Sequence, residues 1–208
     1  MFASTRRTLI AAAAALSLGG LATVTHAAPQ VGQPAPTFTA LDSNGRNVSL
    51  AELKGKTVVL EWTNDGCPYV RKWYGSGEMQ KLQKEAAQLG AVWLSVVSSA
   101  PGAQGYVDGP QANEKTKSRG AAPAHVLLDP KGTLGRAYGA ETTPHMYVIA
   151  PDGKLAYAGG IDSIASTNAA DIPKADPYAK KAIEAVAAGK PVATAVTRPY
   201  GCGVKYGS

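Results

Sequence analysis

One stretch decides the fold, and it reads Thr57-Val58-Val59-Leu60-Glu61-Trp62-Thr63-Asn64-Asp65-Gly66-Cys67-Pro68. Its first seven residues are almost continuously apolar, which predicts a strand that is covered on both faces. Asn64-Asp65-Gly66 then predicts a turn. Proline directly after Cys67 predicts a helix that begins at Pro68 with Cys67 as its cap. A strand, a turn and a helix in this order place Cys67 at a surface edge of an α/β sheet.

The predicted position of Cys67 favours a reactive thiol. A helix N-terminus presents unpaired amide groups and the positive end of the helix dipole, and both stabilise thiolate over thiol. A free cysteine titrates near ~8.5, and such sites lower this pKa by one to several units. The alternative is a small buried apolar residue, the usual role of a lone cysteine.

The rest of the chain alternates strands and helices. We predict a hairpin around Ser43-Asn44-Gly45, a helix that is interrupted at 75–77 and then carries Met79, Leu82, Ala86 and Leu89 inward, and a final helix before Gly189. Further strands are predicted at 91–97, 126–128, 146–149 and 154–158. The pattern indicates one α/β domain over 28–188, with a central mixed sheet flanked by helices and an N-terminal hairpin, followed by a tail over 189–208.

Composition excludes several classes of protein. The chain has 208 residues, of which 45% are hydrophobic and 17% are charged, so it can form a core. Its net charge of +6 is scattered and does not support nucleic-acid binding. Two cysteines are too few for a zinc site with four thiolates. His125 and His145 could join Cys67 in a metal site, but no paired ligand spacing supports one, and we expect neither metal nor cofactor.

Residues 1–27 are typical of a secretory signal peptide. Arg6 and Arg7 precede an apolar stretch over 9–24, and Ala27 is the small residue that signal peptidase favours. The stretch is shorter than the roughly 20 residues of a spanning helix, so no membrane span is expected. The arginine pair also resembles the twin-arginine export pattern. We therefore expect a periplasmic or secreted protein, in a compartment where disulfides persist.

Three segments carry a resemblance to a known family. Residues 31–38, residues 53–60 and the Cys67-Pro68 pair resemble the redoxin branch of the thioredoxin-like superfamily, which includes the peroxiredoxin-like alkyl hydroperoxide reductase and thiol-specific antioxidant group. The resemblance covers roughly residues 30–188. It implies a thioredoxin-like fold with the active cysteine at the tip of the first core strand. It also implies a cis-proline facing that cysteine, which Thr143-Pro144 would supply.

The chain departs from this family at its best-known motifs. Val70 and Arg71 stand where thioredoxins and copper chaperones, respectively, carry a second cysteine. Leu60 and Asn64 replace the proline and threonine of the peroxidatic Pro-x-x-x-Thr-x-x-Cys pattern, so the sequence does not support vigorous peroxidase activity. Cys202 is the other cysteine of the chain. It is a candidate resolving cysteine or the second half of a structural disulfide with Cys67.

Other side chains are candidates for the site. Glu61 lies where thioredoxins place a buried acid, and burial would raise its pKa and suit it to exchange a proton with the thiol. The alternative is a glutamate that pairs with a lysine at the sheet edge. Pro68, Tyr69 and Thr143 are expected nearest to a substrate. Trp62 and Trp73 are expected near the thiol together with Tyr69. We expect these aromatic side chains to belong to the core rather than to line a substrate groove. The loop over 98–110 is either a substrate rim or a plain connection.

Two functions from different classes remain open at this point. The first is an exported thiol oxidoreductase that uses Cys67, with a protein disulfide, a peroxide or a small thiol as substrate and an unidentified thiol as reductant. The second is a non-enzymatic binding or structural module in which Cys67 and Cys202 form a permanent disulfide.

Overall fold

The computed structural model describes Met1 and residues 28–207. The predicted export signal therefore lies outside the described residues, Met1 apart. Within the described part of the chain, no helix has the length and apolar character needed to cross a bilayer.

A seven-stranded mixed sheet forms the centre of the fold, as the sequence predicts. The strands are β1 Thr39–Asp42, β2 Asn47–Ser49, β3 Val58–Trp62, β4 Val92–Val97, β5 His125–Leu128, β7 His145–Ile149 and β8 Leu155–Gly159. Their order in the sheet is β2-β1-β5-β4-β3-β7-β8. The neighbouring strands β5, β4 and β3 run parallel, and antiparallel strands extend the sheet on both sides.

Helices cover both faces of the sheet. They are α1 Pro68–Gly75, α2 Glu78–Gln88, α3 Gly109–Ser118, α4 Thr133–Tyr138 and α5 Tyr178–Ala187. The predicted inward positions Met79, Leu82 and Ala86 of α2 are buried, but Leu89 is exposed because the helix ends at Gln88. The short helix α4 has too few residues for a recognisable apolar period, and the sequence did not predict it.

Strand β3 is buried along its whole length, and its side chains alternate between two cores. Val59 packs in the core beneath α1, α2 and α5, which also contains Cys67. Trp62 packs in the other core, on the face of α4. The expectation that Trp62 lies near the thiol is therefore wrong, because the alternation of a strand carries it to the opposite face.

The C-terminal segment returns to the middle of the molecule. Thr197 N–H donates to the Ala158 carbonyl at 3.1 Å, so the segment first follows the edge of β8. It then forms a small strand, β9 Cys202–Gly203, antiparallel to β6 Thr142–Thr143. Below, the word tail refers to the part of the predicted 189–208 segment from residue 196 onward.

Candidate active site

The turn that carries Cys67 is held by its own hydrogen bonds. Cys67 N–H donates to the Asn64 carbonyl at 3.0 Å, and Gly66 N–H donates to Asn64 Oδ1 at 2.8 Å. Asn64 Nδ2 donates to the Gln104 carbonyl at 3.2 Å, so the loop over 98–110 contacts this turn. The turn therefore places Cys67 at the N-cap of α1, with Pro68 as the first helical residue, as the sequence predicts.

Cys67 lies beside a cis peptide bond. The Thr143–Pro144 bond is cis, as the family resemblance implies, and Cys67 Sγ lies 3.0 Å from the Thr143 carbonyl oxygen. Cys67 is fully buried, contrary to the expected surface edge, because the tail passes over it. Pro68 is exposed and Tyr69 is half-buried, so these two expected substrate neighbours flank the thiol at the surface.

Cys202 is brought to the same point by the pairing of β6 with β9. Cys202 is the register partner of Thr143, whose carbonyl accepts a hydrogen bond from the Cys67 thiol, and no disulfide joins the two cysteines in this structure. Cys202 is partly buried. The two thiols are within hydrogen-bonding reach of each other, which the sequence allowed but did not require.

The surroundings of the two thiols make them chemically unequal. Burial by itself would raise the pKa of Cys67, but hydrogen bonds from the Cys202 thiol, the Thr143 side chain and the Val70 amide outweigh it, and the pKa lies below its ordinary value. Burial, the hydrogen bond to Cys67 and the negative charge that develops there raise the pKa of Cys202 to about 11. Cys67 is therefore the one of the two thiols that ionises more readily.

Glu61 is completely buried and surrounded by donors. Tyr74 donates its hydroxyl to both carboxylate oxygens at 2.9 Å, and the Trp93 indole N–H donates to Oε2 at 2.9 Å. Ser95 Oγ donates to the same oxygen at 2.9 Å, and Gln83 Nε2 lies 3.5 Å from it. Burial raises the pKa of Glu61, although the bonds from Trp93 and Tyr74 act in the opposite direction. No hydrogen bond joins Glu61 to Cys67 in the described structure.

Three residues near the site, Lys72, Asp162 and Tyr200, were not predicted from the sequence. Lys72 Nζ lies 3.6 Å from Asp162 Oδ2, and the side chains of both are almost completely buried. Tyr200, in the tail, donates its hydroxyl to Asp162 Oδ1, and its ring lies 5.6 Å from that of Tyr69. The one sequence signal was a lysine between the buried positions of α1. Its partners lie far along the chain, so spacing could not have identified them.

The two histidines that were candidate metal ligands, His125 and His145, make their contacts away from Cys67. His125 Nδ1 lies 2.9 Å from Asp42 Oδ2, at the hairpin end of the sheet. His145 follows Pro144 but is buried, and its Nδ1 accepts the Glu141 N–H at 3.3 Å. No group of three potential metal ligands occurs among residues 28–207.

Solved structures with the same fold come from several bacteria. An uncharacterized conserved protein from Geobacillus kaustophilus has 23% identity and a TM-score of 0.76, and the match covers 86% of this chain and 93% of that one. A hypothetical protein from Sinorhizobium meliloti has 22% identity and a TM-score of 0.72, covering 88% and 97%. A putative thiol:disulfide interchange protein DsbE from Chlorobium tepidum has 23% identity and a TM-score of 0.50, covering 63% and 85%.

The sequence comparisons identify the family. None of the curated proteins compared with this chain matches it. A sequence profile of the AhpC/TSA family matches residues 31–158, which include β3, the turn, Cys67 and the cis-proline. The fold, the position of Cys67 and this match agree, and the chain belongs to the AhpC/TSA family and has a thioredoxin-like fold.

Proposed function

We propose that this chain is an exported thiol oxidoreductase that exchanges disulfides, with Cys67 as the nucleophile and Cys202 as the resolving cysteine. Family membership supports a thiol oxidoreductase. One observation carries the assignment of roles: the two thiols meet beside cis-Pro144, and their surroundings lower the pKa of Cys67 while raising that of Cys202. The export signal over residues 1–27 is part of the proposal.

The reaction takes place in two exchanges. The Cys67 thiolate attacks one sulfur of a substrate disulfide; that bond breaks, a mixed disulfide forms, and the released substrate thiolate takes up a proton. Cys202 then gives up its proton and attacks Cys67 Sγ, which forms the Cys67–Cys202 disulfide and releases the second substrate thiol. The substrate gains two electrons, the protein loses two, and an external dithiol restores the reduced state.

Glu61 is assigned to the proton transfers of this cycle. It lies on the same face of the sheet as Cys67, and burial raises its pKa towards the range where a carboxyl can accept and return a proton. Because Glu61 and Cys67 share no hydrogen bond, at least one intervening group must relay the proton. Pro144 and Thr143 are assigned to positioning: the Thr143 carbonyl lies 3.0 Å from Cys67 Sγ and accepts a hydrogen bond from the neutral thiol.

Disulfide exchange fits the site better than peroxide reduction. The Asn64 side chain, at the place of the peroxide-polarising threonine, is occupied by bonds to Gly66 and Gln104. Thr63 lies one position away from the place of that threonine; its Oγ1 is buried without a hydrogen-bond partner, and the residue lines a cavity of about 20 Å³ with Tyr74 and Ser95. Asn64 therefore offers no hydroxyl at the place where the peroxidatic pattern has one.

A second candidate function is a structural module with a permanent Cys67–Cys202 disulfide. The observation in its favour is that the tail is bonded to the domain beyond the sulfurs. Val204 N–H donates to the Glu141 carbonyl at 2.9 Å, and Tyr206 OH donates to the Ala140 carbonyl at 2.7 Å. Such a disulfide would close a loop of 202 − 67 = 135 residues and, in the chain-entropy model, stabilise the fold by about 4–5 kcal/mol.

Two measurements test the proposal against this alternative. The reduced protein is mixed in a stopped-flow instrument with a protein disulfide and, separately, with peroxide; we expect fast reaction with the disulfide and none in Cys67→Ser. The Cys67–Cys202 disulfide is then titrated against glutathione. Opening near ~−200 mV supports exchange, whereas a bond that stays closed below ~−300 mV supports the structural module. Failure of this disulfide to form at any potential contradicts both.

A further inference from the structure

A buried charge cluster lies where the tail crosses helix α1. Lys72 and Asp162 are 3.6 Å apart, with side-chain exposures of 0% and 1%. Tyr200 completes the cluster from the tail: its hydroxyl bonds to Asp162, and its ring centroid lies 5.7 Å from Lys72 Nζ. We call Lys72, Asp162 and Tyr200 the latch.

The hydrogen bonding of the latch is incomplete even with Tyr200 in place. Lys72 Nζ has no hydrogen-bond acceptor, and Asp162 Oδ2 has no donor. Asp162 Oδ1 accepts from the Ile164 N–H at 3.0 Å and from Tyr200. A buried ion pair with unsatisfied atoms contributes little to stability, because desolvation offsets the attraction. Its clearer effect is to provide one specific acceptor for the tail.

Tyr200 is connected to the active site through a single residue. Gly201 separates it from Cys202, and this glycine has φ +140° and lies against the Thr143 carbonyl. An extended residue advances the chain by only ~3.3 Å. Anchoring Tyr200 therefore fixes where Cys202 enters β9 and where its thiol meets Cys67.

We propose that the latch positions Cys202 against Cys67 and keeps the tail closed over Cys67 in the reduced protein. The inference rests on the proposed function, because a closed tail matters only if Cys67 exchanges disulfides. The contacts that define the latch do not depend on that function. A substrate disulfide reaches Cys67 only when Tyr200 leaves Asp162. Opening admits water to Lys72 and Asp162, and their hydration offsets part of the lost contacts, so the latch favours a tail that opens and closes.

The first test removes only the hydroxyl of the latch. In Tyr200→Phe we expect the alkylation rate of Cys67 in the reduced protein, followed by peptide mass, to rise at least about tenfold, since a hydrogen bond to a charged group is lost. The equilibrium constant for closing the Cys67–Cys202 disulfide against glutathione should fall by a similar factor. Tyr138→Phe is the matched control, because its hydroxyl bonds to the Pro36 carbonyl away from the tail and its loss should change neither quantity.

The second test asks whether the charges act as a unit. Asp162→Asn leaves Lys72 buried without a counter-charge, so the alkylation rate should rise as in Tyr200→Phe. Adding Lys72→Met to this variant removes the unpaired charge, while the side-chain oxygen at position 162 can still accept from Tyr200. The alkylation rate should then return most of the way to the wild-type value. No rescue in the double variant, or an unchanged rate in Tyr200→Phe, overturns the proposal.

The outcomes separate the latch from the proposed function. If wild-type Cys67 reacts slowly with every disulfide but is unmasked in Tyr200→Phe, the function fails and the latch stands. If exchange is fast in wild type and Tyr200→Phe alters neither alkylation nor the disulfide equilibrium, the latch fails and the function stands.

Discussion

Cys202 stands directly opposite Thr143 in the pairing of β6 with β9, and Thr143 is the residue that forms the cis bond to Pro144. The backbone that presents a carbonyl to Cys67 thus also holds the second cysteine of the chain. This arrangement makes the position of the tail decisive for the chemistry of Cys67.

Replacing Cys202 by alanine should raise the pKa of Cys67, because the thiolate loses its thiol donor. We expect the pH profile of Cys67 alkylation to move to higher pH. Mixed disulfides with substrate should also accumulate, and steady-state disulfide reduction should fall by about tenfold or more as the intramolecular attack is lost. Unchanged turnover would mean that Cys202 does not resolve Cys67.

Gly201→Ala should displace the tail without unfolding the domain. The glycine has φ +140°, and a methyl group would collide with the Thr143 carbonyl. Cys67 alkylation should become faster, while the melting temperature should change by only a few degrees. Gly203→Ala is the matched control, because a Cβ there meets the Glu141 carbonyl at an ordinary 3.9 Å. Equal effects in the two variants would contradict this reading.

Glu61→Gln should change how stability depends on pH. Burial raises the pKa of Glu61 in the folded state, so its contribution is present at low pH and is lost as pH rises through the folded pKa. The free energy of unfolding of wild type minus that of Glu61→Gln should therefore decrease from about pH 4.5 upward. Urea unfolding over a pH series measures it, and a constant difference would exclude a raised pKa.

His145 should act in the opposite direction. Burial lowers the pKa of His145 from 6.5 to about 4, so the folded protein resists protonation. Stability is complete above pH 6.5 and decreases as pH falls towards 4, by about 3 kcal/mol over the window. His145→Gln should remove this slope below pH 6.5 and leave the profile above it unchanged. A slope that persists in the variant would place its origin elsewhere.

Native protein recovered outside the cytoplasm should begin at Ala28 or within a residue or two of it. The charged start, the apolar stretch and Ala27 motivate this prediction. N-terminal peptide mass gives the answer, and mature protein that retains Met1 would contradict export by a cleaved signal.

The sequence predicted the parts of the site that local pattern determines. The apolar run, the turn and Pro68 are adjacent in the chain, so β3, the turn and the start of α1 follow from short-range rules. The pairing of Cys202 with Thr143 joins residues far apart in sequence, and no periodicity reports it. The same holds for Asp162, whose burial beside Lys72 depends on how the segment after β8 packs on α1. Recognition of the family supplied Pro144, which composition alone did not indicate.

The donors around Glu61 also restrict what can replace it. Tyr74 belongs to α1, Gln83 to α2, and Trp93 and Ser95 to β4, and all four point into one carboxylate. An apolar residue at position 61 would leave these buried donors without an acceptor, and each buried unsatisfied donor costs about 1–3 kcal/mol of stability. Losing the carboxylate by gradual substitution would require compensating changes on three elements at once. The acid is thus retained by its neighbours as well as by any catalytic demand, and designs that seek a more stable core must treat the five side chains as one unit.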